Sequence, residues 1–321
     1  MNKKHVLVTG GAGFIGSHLV ELLKNEGANV TVADNLENGK LTNLHRLRIN
    51  FIRADLRNLK NCIAVTKGQD IVMNLAAKVG GIHYNKKHQA EMFYHNLMIN
   101  SSMLEAARIN DIEKFLVVSS ACVYPRYCKV PTPETEGFKG EPEPTNKGYG
   151  WAKRIAEKQA EFYSKEYGMK IGIVRPYNCI GPRDHFNPEK SHVVPALIKR
   201  IYDGENPIVV WGDGEQTRSF IYVKDLVRGM LLAIQKYPKP DPLNLGSKEE
   251  IKIIDLIKLI IELSGKNVNI LFDKYKPRGQ PRRKCDVRKA EKKIGFVATT
   301  TLKDALRETI NWYEKVRGLK K

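Results

Sequence analysis

The apolar run His5-Val6-Leu7-Val8 passes directly into Thr9-Gly10-Gly11-Ala12-Gly13-Phe14-Ile15-Gly16-Ser17-His18, and that junction restricts the fold more than any other stretch. Glycines 10, 13 and 16 stand between a strand and an amphipathic helix expected over 14–25. Gly10 permits a tight turn, Gly13 lets a pyrophosphate approach the backbone, and Gly16 lets helix and strand pack closely. Phe14 and Ile15 open the helix beside them. The next strand, 29–32, runs into Ala33-Asp34-Asn35, with Asp34 18 positions after Gly16. A carboxylate there can accept both hydroxyls of an adenosine ribose and would repel a 2′-phosphate, which selects NAD over NADP. The same residue type also caps turns.

Apolar runs at 51–53, 71–75, 115–118 and 171–174 alternate with helical patterns, among them 90–110 and 150–167. That alternation predicts an α/β chain with a Rossmann-type doubly wound parallel sheet over 1–176. A smaller mixed α/β substrate-binding domain is expected over 177–321, with some segments returning to the first domain and amphipathic helices at 254–264 and 302–316. Asp55-Leu56, after the third strand, is placed for adenine. Leu75-Ala76-Ala77, after the fourth, puts small residues beside the cofactor.

With 321 residues, 42% hydrophobic and 28% charged, the chain reads as a soluble globular protein. No apolar run approaches the roughly 20 residues that span a bilayer. Cys62, Cys122, Cys128, Cys179 and Cys285 form no CxxC pair and no metal-ligand spacing, so no metal and a reducing cytoplasm are expected. The net charge of +19 is spread along the chain, with one cluster at 274–284. No aromatic-interleaved basic stripe accompanies it, so it predicts a lysine-rich surface with local phosphate contacts and no nucleic-acid partner.

Two stretches carry chemistry. Ser119-Ser120-Ala121-Cys122-Val123-Tyr124-Pro125 follows the strand 115–118, at the strand end where open α/β sheets bind ligands. By itself a cysteine there is more often a small buried hydrophobe. Tyr149-Gly150-Trp151-Ala152-Lys153 puts Tyr149 and Lys153 four residues apart on one helix face. A phenol is a poor base at neutral pH, but a neighbouring ammonium and an oxidised nicotinamide both favour phenolate.

On these residues the chain resembles, over essentially its whole length, the extended short-chain dehydrogenase/reductase family of nucleotide-sugar epimerases, dehydratases and reductases. The resemblance implies a Ser120–Tyr149–Lys153 triad, in which Ser120 and Tyr149 bind a sugar 4-hydroxyl and Lys153 also holds the nicotinamide ribose. It also implies substrate contacts at Lys78, Gly80, Gly81, Asn96 and Asn178, and phosphate clamps at Arg218 and Arg282. Arginine suits that task through its planar fork. The residue pattern alone would read Asn96 as a helix-surface amide and either arginine as a solvated charge.

Two branches of the family are similar in more detail. Ala76-Ala77-Lys78-Val79-Gly80-Gly81-Ile82, Gly181-Pro182-Arg183-Asp184-His185-Phe186-Asn187-Pro188 and Ser191-His192-Val193-Val194-Pro195-Ala196-Leu197 resemble GDP-fucose synthases. The stretch 119–125 is closer to GDP-mannose 3,5-epimerases. Both branches imply Cys122 as an acid/base, with a partner that maps to His192 in one and to Lys190 of Glu189-Lys190 in the other. Once C4 is a ketone, the C3 and C5 protons are acidic, and inverting either centre needs a base on one face and an acid on the other. The synthases reduce with NADPH and lack an acidic residue after the second strand, so Asp34 favours a redox-neutral cycle. The expected activity is an NAD-dependent GDP-mannose 3,5-epimerase type. A GDP-4-keto-6-deoxymannose epimerase/reductase, a UDP-sugar 4-epimerase and a non-catalytic dinucleotide-sensing regulator stand as alternatives. The family resemblance also implies a homodimer through helices 90–110 and 150–167, without a membrane partner.

Overall fold

A computed structural model of the chain describes residues 1–187, 191–273, 275 and 280–319, residues 82 and 83 by their backbone alone. Its main sheet has seven strands in the spatial order Leu243–Leu245, Lys170–Pro176, Lys114–Val118, Ile71–Asn74, His5–Thr9, Asn29–Asp34 and Asn50–Arg53. Every neighbouring pair is parallel. Such a sheet must be covered on both faces, and the side chains divide accordingly. Val6 and Val8 point to one face with Leu19 and Leu23 of helix Phe14–Asn25 and Met230 of helix Val223–Lys236. Leu7, one residue out of phase, packs on the other with Met103 of helix Gln89–Ile109 and Ala156 of helix Lys147–Tyr167.

The strand order reverses between His5–Thr9 and Ile71–Asn74, which opens a crevice at their carboxyl ends. A second core lies over that edge, built from helices Val193–Tyr202, Ile253–Ser264 and Leu302–Val316. A separate three-stranded sheet has Thr217–Arg218 flanked by Ile251–Lys252 and Arg282–Arg283. The helix expected over 150–167 begins three residues earlier, at Lys147. A tertiary bond explains the difference: the Gln89 side-chain oxygen accepts from the Gly148 N–H at 2.5 Å and holds the first turn. Among the described residues no helix is long and apolar enough to cross a membrane.

Under the crevice lies a buried ion pair. Arg175 and Glu157 are 1% and 4% exposed, and the guanidinium meets both carboxylate oxygens, at 2.8 and 2.6 Å. Ser119 Oγ donates to the same carboxylate, while Arg175 also donates to the Tyr124 hydroxyl at 3.0 Å and to the Glu134 carbonyl at 2.7 Å. Tyr124 in turn donates to Asn244 on the edge strand. Removing one member strands the other as an uncompensated buried charge. Glu157→Ala is expected to lower unfolding free energy by about 3–5 kcal/mol in urea titrations, and a loss under about 1 kcal/mol would contradict that role.

Candidate active site

The glycine turn takes the form that a pyrophosphate cradle requires. Gly10 has φ +66°, and a Cβ at Gly16 would lie 2.2 Å from the Gly10 carbonyl, so both positions are closed to larger residues. Gly13 differs: its backbone is extended, and a Cβ there would meet only the Gly10 carbonyl, at 3.2 Å. Chain neighbours aside, no other protein atom lies within 4 Å of that Cβ position. Helix Phe14–Asn25 has no side-chain cap and no acidic residue in its first turn, leaving its positive end available to an anion. The Phe14 and Ile15 side chains turn away from it, into the second core.

Asp34, 7% exposed, accepts from the Ala12 N–H at 3.0 Å and from the Leu36 N–H at 2.8 Å. It thus ties the glycine turn to the second strand and caps its own turn. Each carboxylate oxygen keeps a further lone pair for a ribose hydroxyl. The exposed Asn35 accepts from the Glu37 N–H at 3.0 Å. Asp55, expected at the adenine, is gripped by Arg57, which holds its carboxyl below the ordinary range, and the Leu56 side chain is buried in the core.

A buried polar chain fixes the next segment. Thr9 Oγ1 donates to Asn74 Oδ1 at 2.7 Å and accepts from the Ala76 N–H at 3.0 Å. The Asn74 amide donates to Asn100, and Asn100 donates to the Asn96 carbonyl at 2.7 Å. Asn96, fully buried, clasps the Lys78 backbone from both sides, accepting from its N–H at 3.1 Å and donating to its carbonyl at 3.0 Å. Its amide also donates to Met92, so Asn96 shapes the loop after Leu75-Ala76-Ala77 and does not reach out as the substrate contact expected of it. Lys78 departs from expectation too. Its ammonium lies between Glu37, at 2.5 Å, and Glu91, at 3.1 Å, because the helix Gln89–Ile109 brings Glu91 under the loop. Gly80 allows the loop to pass Tyr84, whose ring a Cβ would meet at 2.7 Å, and Gly81 begins helix Ile82–Lys87.

At the end of strand Lys114–Val118 the two serines separate. Ser119 is buried on Glu157, whereas Ser120 begins the turn Ala121–Val123 and accepts from the Cys122 N–H at 3.1 Å, keeping its own O–H to donate. Tyr149 and Lys153 share one face of helix Lys147–Tyr167, with the Lys153 ammonium 5.6 Å from the centre of the Tyr149 ring. Lys153, 2% exposed, donates to the Val118 carbonyl at 2.8 Å. Burial pushes its ammonium down to about 8, with Cys122 and Glu157 acting against the shift. Burial raises Tyr149, and Cys122 adds to the rise, so the phenol stays protonated until further positive charge arrives.

Cys122 lies in the electrostatic reach of Tyr149, Lys153 and Arg283. His192 precedes helix Val193–Tyr202 and is open to solvent, yet the protein around it lowers its pKa, with His185 and then Arg283 adding to the effect. Arg283 thus acts electrostatically on His192 and lies in the electrostatic reach of Cys122. Lys190, with Glu189, lies outside the described residues.

Arg282, expected as a phosphate clamp, is engaged by a carboxylate. Arg282 forks onto Glu250 at 2.6 and 2.8 Å, and Thr217 bonds the same carboxylate at 2.6 Å. Arg283 pairs in register with Arg218, and Arg282 with Thr217. Side chains alternate along a strand, so Arg282 and Thr217 share one face while Arg218 and Arg283 share the other. Burial and then Arg283 push Arg218 down to about 10. Asn178 braces this strand by donating to the Ser219 carbonyl at 2.9 Å. Arg283, Glu157 and Arg175 carried no local sequence signal that distinguished them from other charged residues.

Residues 6–246 match the NAD dependent epimerase/dehydratase family. Over 317 residues the chain is 32% identical to GDP-mannose 3,5-epimerase 1 of Oryza sativa subsp. japonica, covering 98% of this chain and 82% of that protein. It is 33% identical to the GDP-L-fucose synthase of Escherichia coli K12, covering 98% and 97%. Among solved structures it is similar to the UDP-glucose 4-epimerase of Thermotoga maritima bound to UDP-glucose, with a TM-score of 0.90, 31% identity, and 98% and 99% coverage. The free space before Gly13 gives a direct test of the cofactor cradle. Gly13→Val is expected to fold, at some cost in stability from the tight approach to the Gly10 carbonyl, and to lose bound NAD. Undiminished NAD binding would contradict the assignment.

Proposed function

The chain belongs to the NAD dependent epimerase/dehydratase family and is an NAD-dependent enzyme; within that family we propose that it epimerises a GDP-hexose at C3 and C5, as a GDP-mannose 3,5-epimerase type. The observation that carries this reading is Cys122, in the electrostatic reach of Tyr149, Lys153 and Arg283, with Arg283 acting in turn on His192. A 4-epimerase needs no such pair. Held by the Gly10–Gly16 turn, Asp34 and Lys153, NAD would supply the hydride acceptor for oxidation at C4 and the donor for re-reduction. Ser120 donates to the sugar's 4-oxygen, and Tyr149 takes the 4-hydroxyl proton. The Lys153 ammonium, so near the ring, favours the phenolate in that step. Cys122 and His192 then exchange protons at the carbons α to the ketone, one removing and the other delivering. Arg218 and Arg283 hold the diphosphate between them, and Asn178 steadies the strand that carries Arg218.

The buried Asp34 carboxylate supports NAD over a cofactor with a 2′-phosphate, which favours a redox-neutral cycle over a net reduction. Tyr94 and Phe162, exposed on helices Gln89–Ile109 and Lys147–Tyr167, are consistent with a homodimer formed through those helices.

Incubation with GDP-mannose in deuterated water, without added NADPH, should place deuterium at C3 or C5. Absence of exchange with GDP-mannose, together with interconversion of UDP-glucose and UDP-galactose, would replace this reading by a UDP-sugar 4-epimerase. Arg218→Ala should raise KM at least about tenfold, the loss of a charge-assisted phosphate contact, whereas Arg282→Ala should leave KM within about twofold.

A further inference from the structure

Strand His5–Thr9 lies between Asn29–Asp34 on one side and Ile71–Asn74 on the other, so the loops leaving those two neighbours flank the glycine turn. Each loop is closely joined to that turn. On one side the Lys40 N–H and the Asn43 amide donate to the Ala12 carbonyl, at 3.0 and 2.9 Å, and a Cβ at Gly39 would lie 2.9 Å from that of Ala12. On the other, a Cβ at Gly10 would lie 2.9 Å from the Ala76 nitrogen. The two loops also meet each other, because Lys78 Nζ donates to Glu37 Oε1 at 2.5 Å. Turn, loops and ion pair form a closed circuit at the strand ends where the glycines and Asp34 are placed for a dinucleotide.

The two ends of the ion pair are held differently. Lys78 is fixed: Asn96 clasps its backbone from both sides, its side chain is 17% exposed, and Glu91 meets its ammonium at 3.1 Å. Glu91 is itself held by the Tyr84 hydroxyl at 3.0 Å and by His88 at 3.2 Å. Burial works against the ammonium, yet Glu37 and Glu91 raise its pKa overall, so Lys78 stays charged. Glu37 stands on an exposed turn, with its side chain 44% exposed and its N–H donating to Asn35 at 3.0 Å. If Glu37 swings away, Lys78 keeps Glu91 and no buried charge is stranded. Such an exposed pair adds little to folding stability, so it can open without loosening the fold. We propose that the Glu37–Lys78 pair is a clasp over the cofactor cradle that slows departure of the dinucleotide, with Glu37 the moving half and Lys78–Glu91 the fixed one. Both are positioning residues, with no contact to reacting atoms required of them. A cycle that returns its hydride to the substrate needs the reduced cofactor to stay on the protein, and a clasp serves that need. The proposal itself rests on NAD binding, whichever sugar is turned over.

The test uses the full-length protein and no sugar. Protein loaded with NADH is mixed rapidly with excess NAD, and release is followed as the first-order loss of bound-nicotinamide fluorescence. Glu37→Gln should release NADH about fivefold faster than wild type, the upper range for a half-exposed ion pair, with its urea midpoint unchanged. Lys78→Met should release at a similar rate. The double variant should be no faster than either, since the two side chains act through one contact. Release from Glu37→Gln at the wild-type rate would overturn the proposal. So would multiplication of the two single effects in the double variant, which would assign each residue a separate contact. Faster release accompanied by a clearly lowered urea midpoint in Glu37→Gln would show general loosening of the loops and overturn it as well.

Discussion

The bidentate pair between Glu157 and Arg175 is the interaction on which the site depends. Two ions are taken from water there, and only mutual pairing plus further hydrogen bonds makes that tolerable. Those further bonds reach the parts that must be fixed. Glu157 lies one turn beyond Lys153 on the same helix and binds Ser119, which sets the direction in which Ser120 leaves the strand. Arg175 reaches Tyr124, and through it the edge strand at Asn244. The pair therefore locks the helix carrying Tyr149 and Lys153 against the strand end carrying Ser120 and Cys122. Proton transfer is sensitive to small displacements, and a rigid polar base of this kind suits it.

Above that base, charge is distributed by strand alternation. Two neighbouring arginines, 282 and 283, have opposite fates because they occupy successive positions of one short strand. Arg282 is neutralised by Glu250, and its carboxylate partner is held down to about 2 by Arg282 above all. Arg283 shares the opposite face of the strand pair with Arg218. Two cations are thus left on one face of the strand pair, while the third is paired with Glu250. A formal net charge of +19 says little about this, since most of its lysines and arginines lie elsewhere on the chain.

The features legible in the sequence are those whose chemistry depends on local spacing. The glycines at 10, 13 and 16 must be close along the chain to make one turn, and Tyr149 with Lys153 must be one helical turn apart, so both patterns survive without tertiary information. The parallel sheet followed from the alternation of apolar runs and helical patterns. What depends on pairing between distant segments was not legible. The parity of Arg283 is set by register with Thr217–Arg218, two-residue strands with no periodicity to read. Lys78 meets Glu37 and Glu91 only because the loop after the fourth strand folds between them, and Asn96 turns inward to hold that loop. Asp34 shows the intermediate case. Its place at a strand end was plain, but its grip on the Ala12 N–H belongs to the folded turn.

The central claim is that hydride chemistry at C4 and proton exchange at C3 and C5 are carried by separate groups within one crevice. Cys122→Ala separates them most directly. Incubated with GDP-mannose in deuterated water, that variant should still generate reduced cofactor on the protein, seen by its absorbance, while exchange at C3 and C5 disappears. Exchange at the wild-type rate would contradict the claim and leave Cys122 a bystander to chemistry at C4 alone.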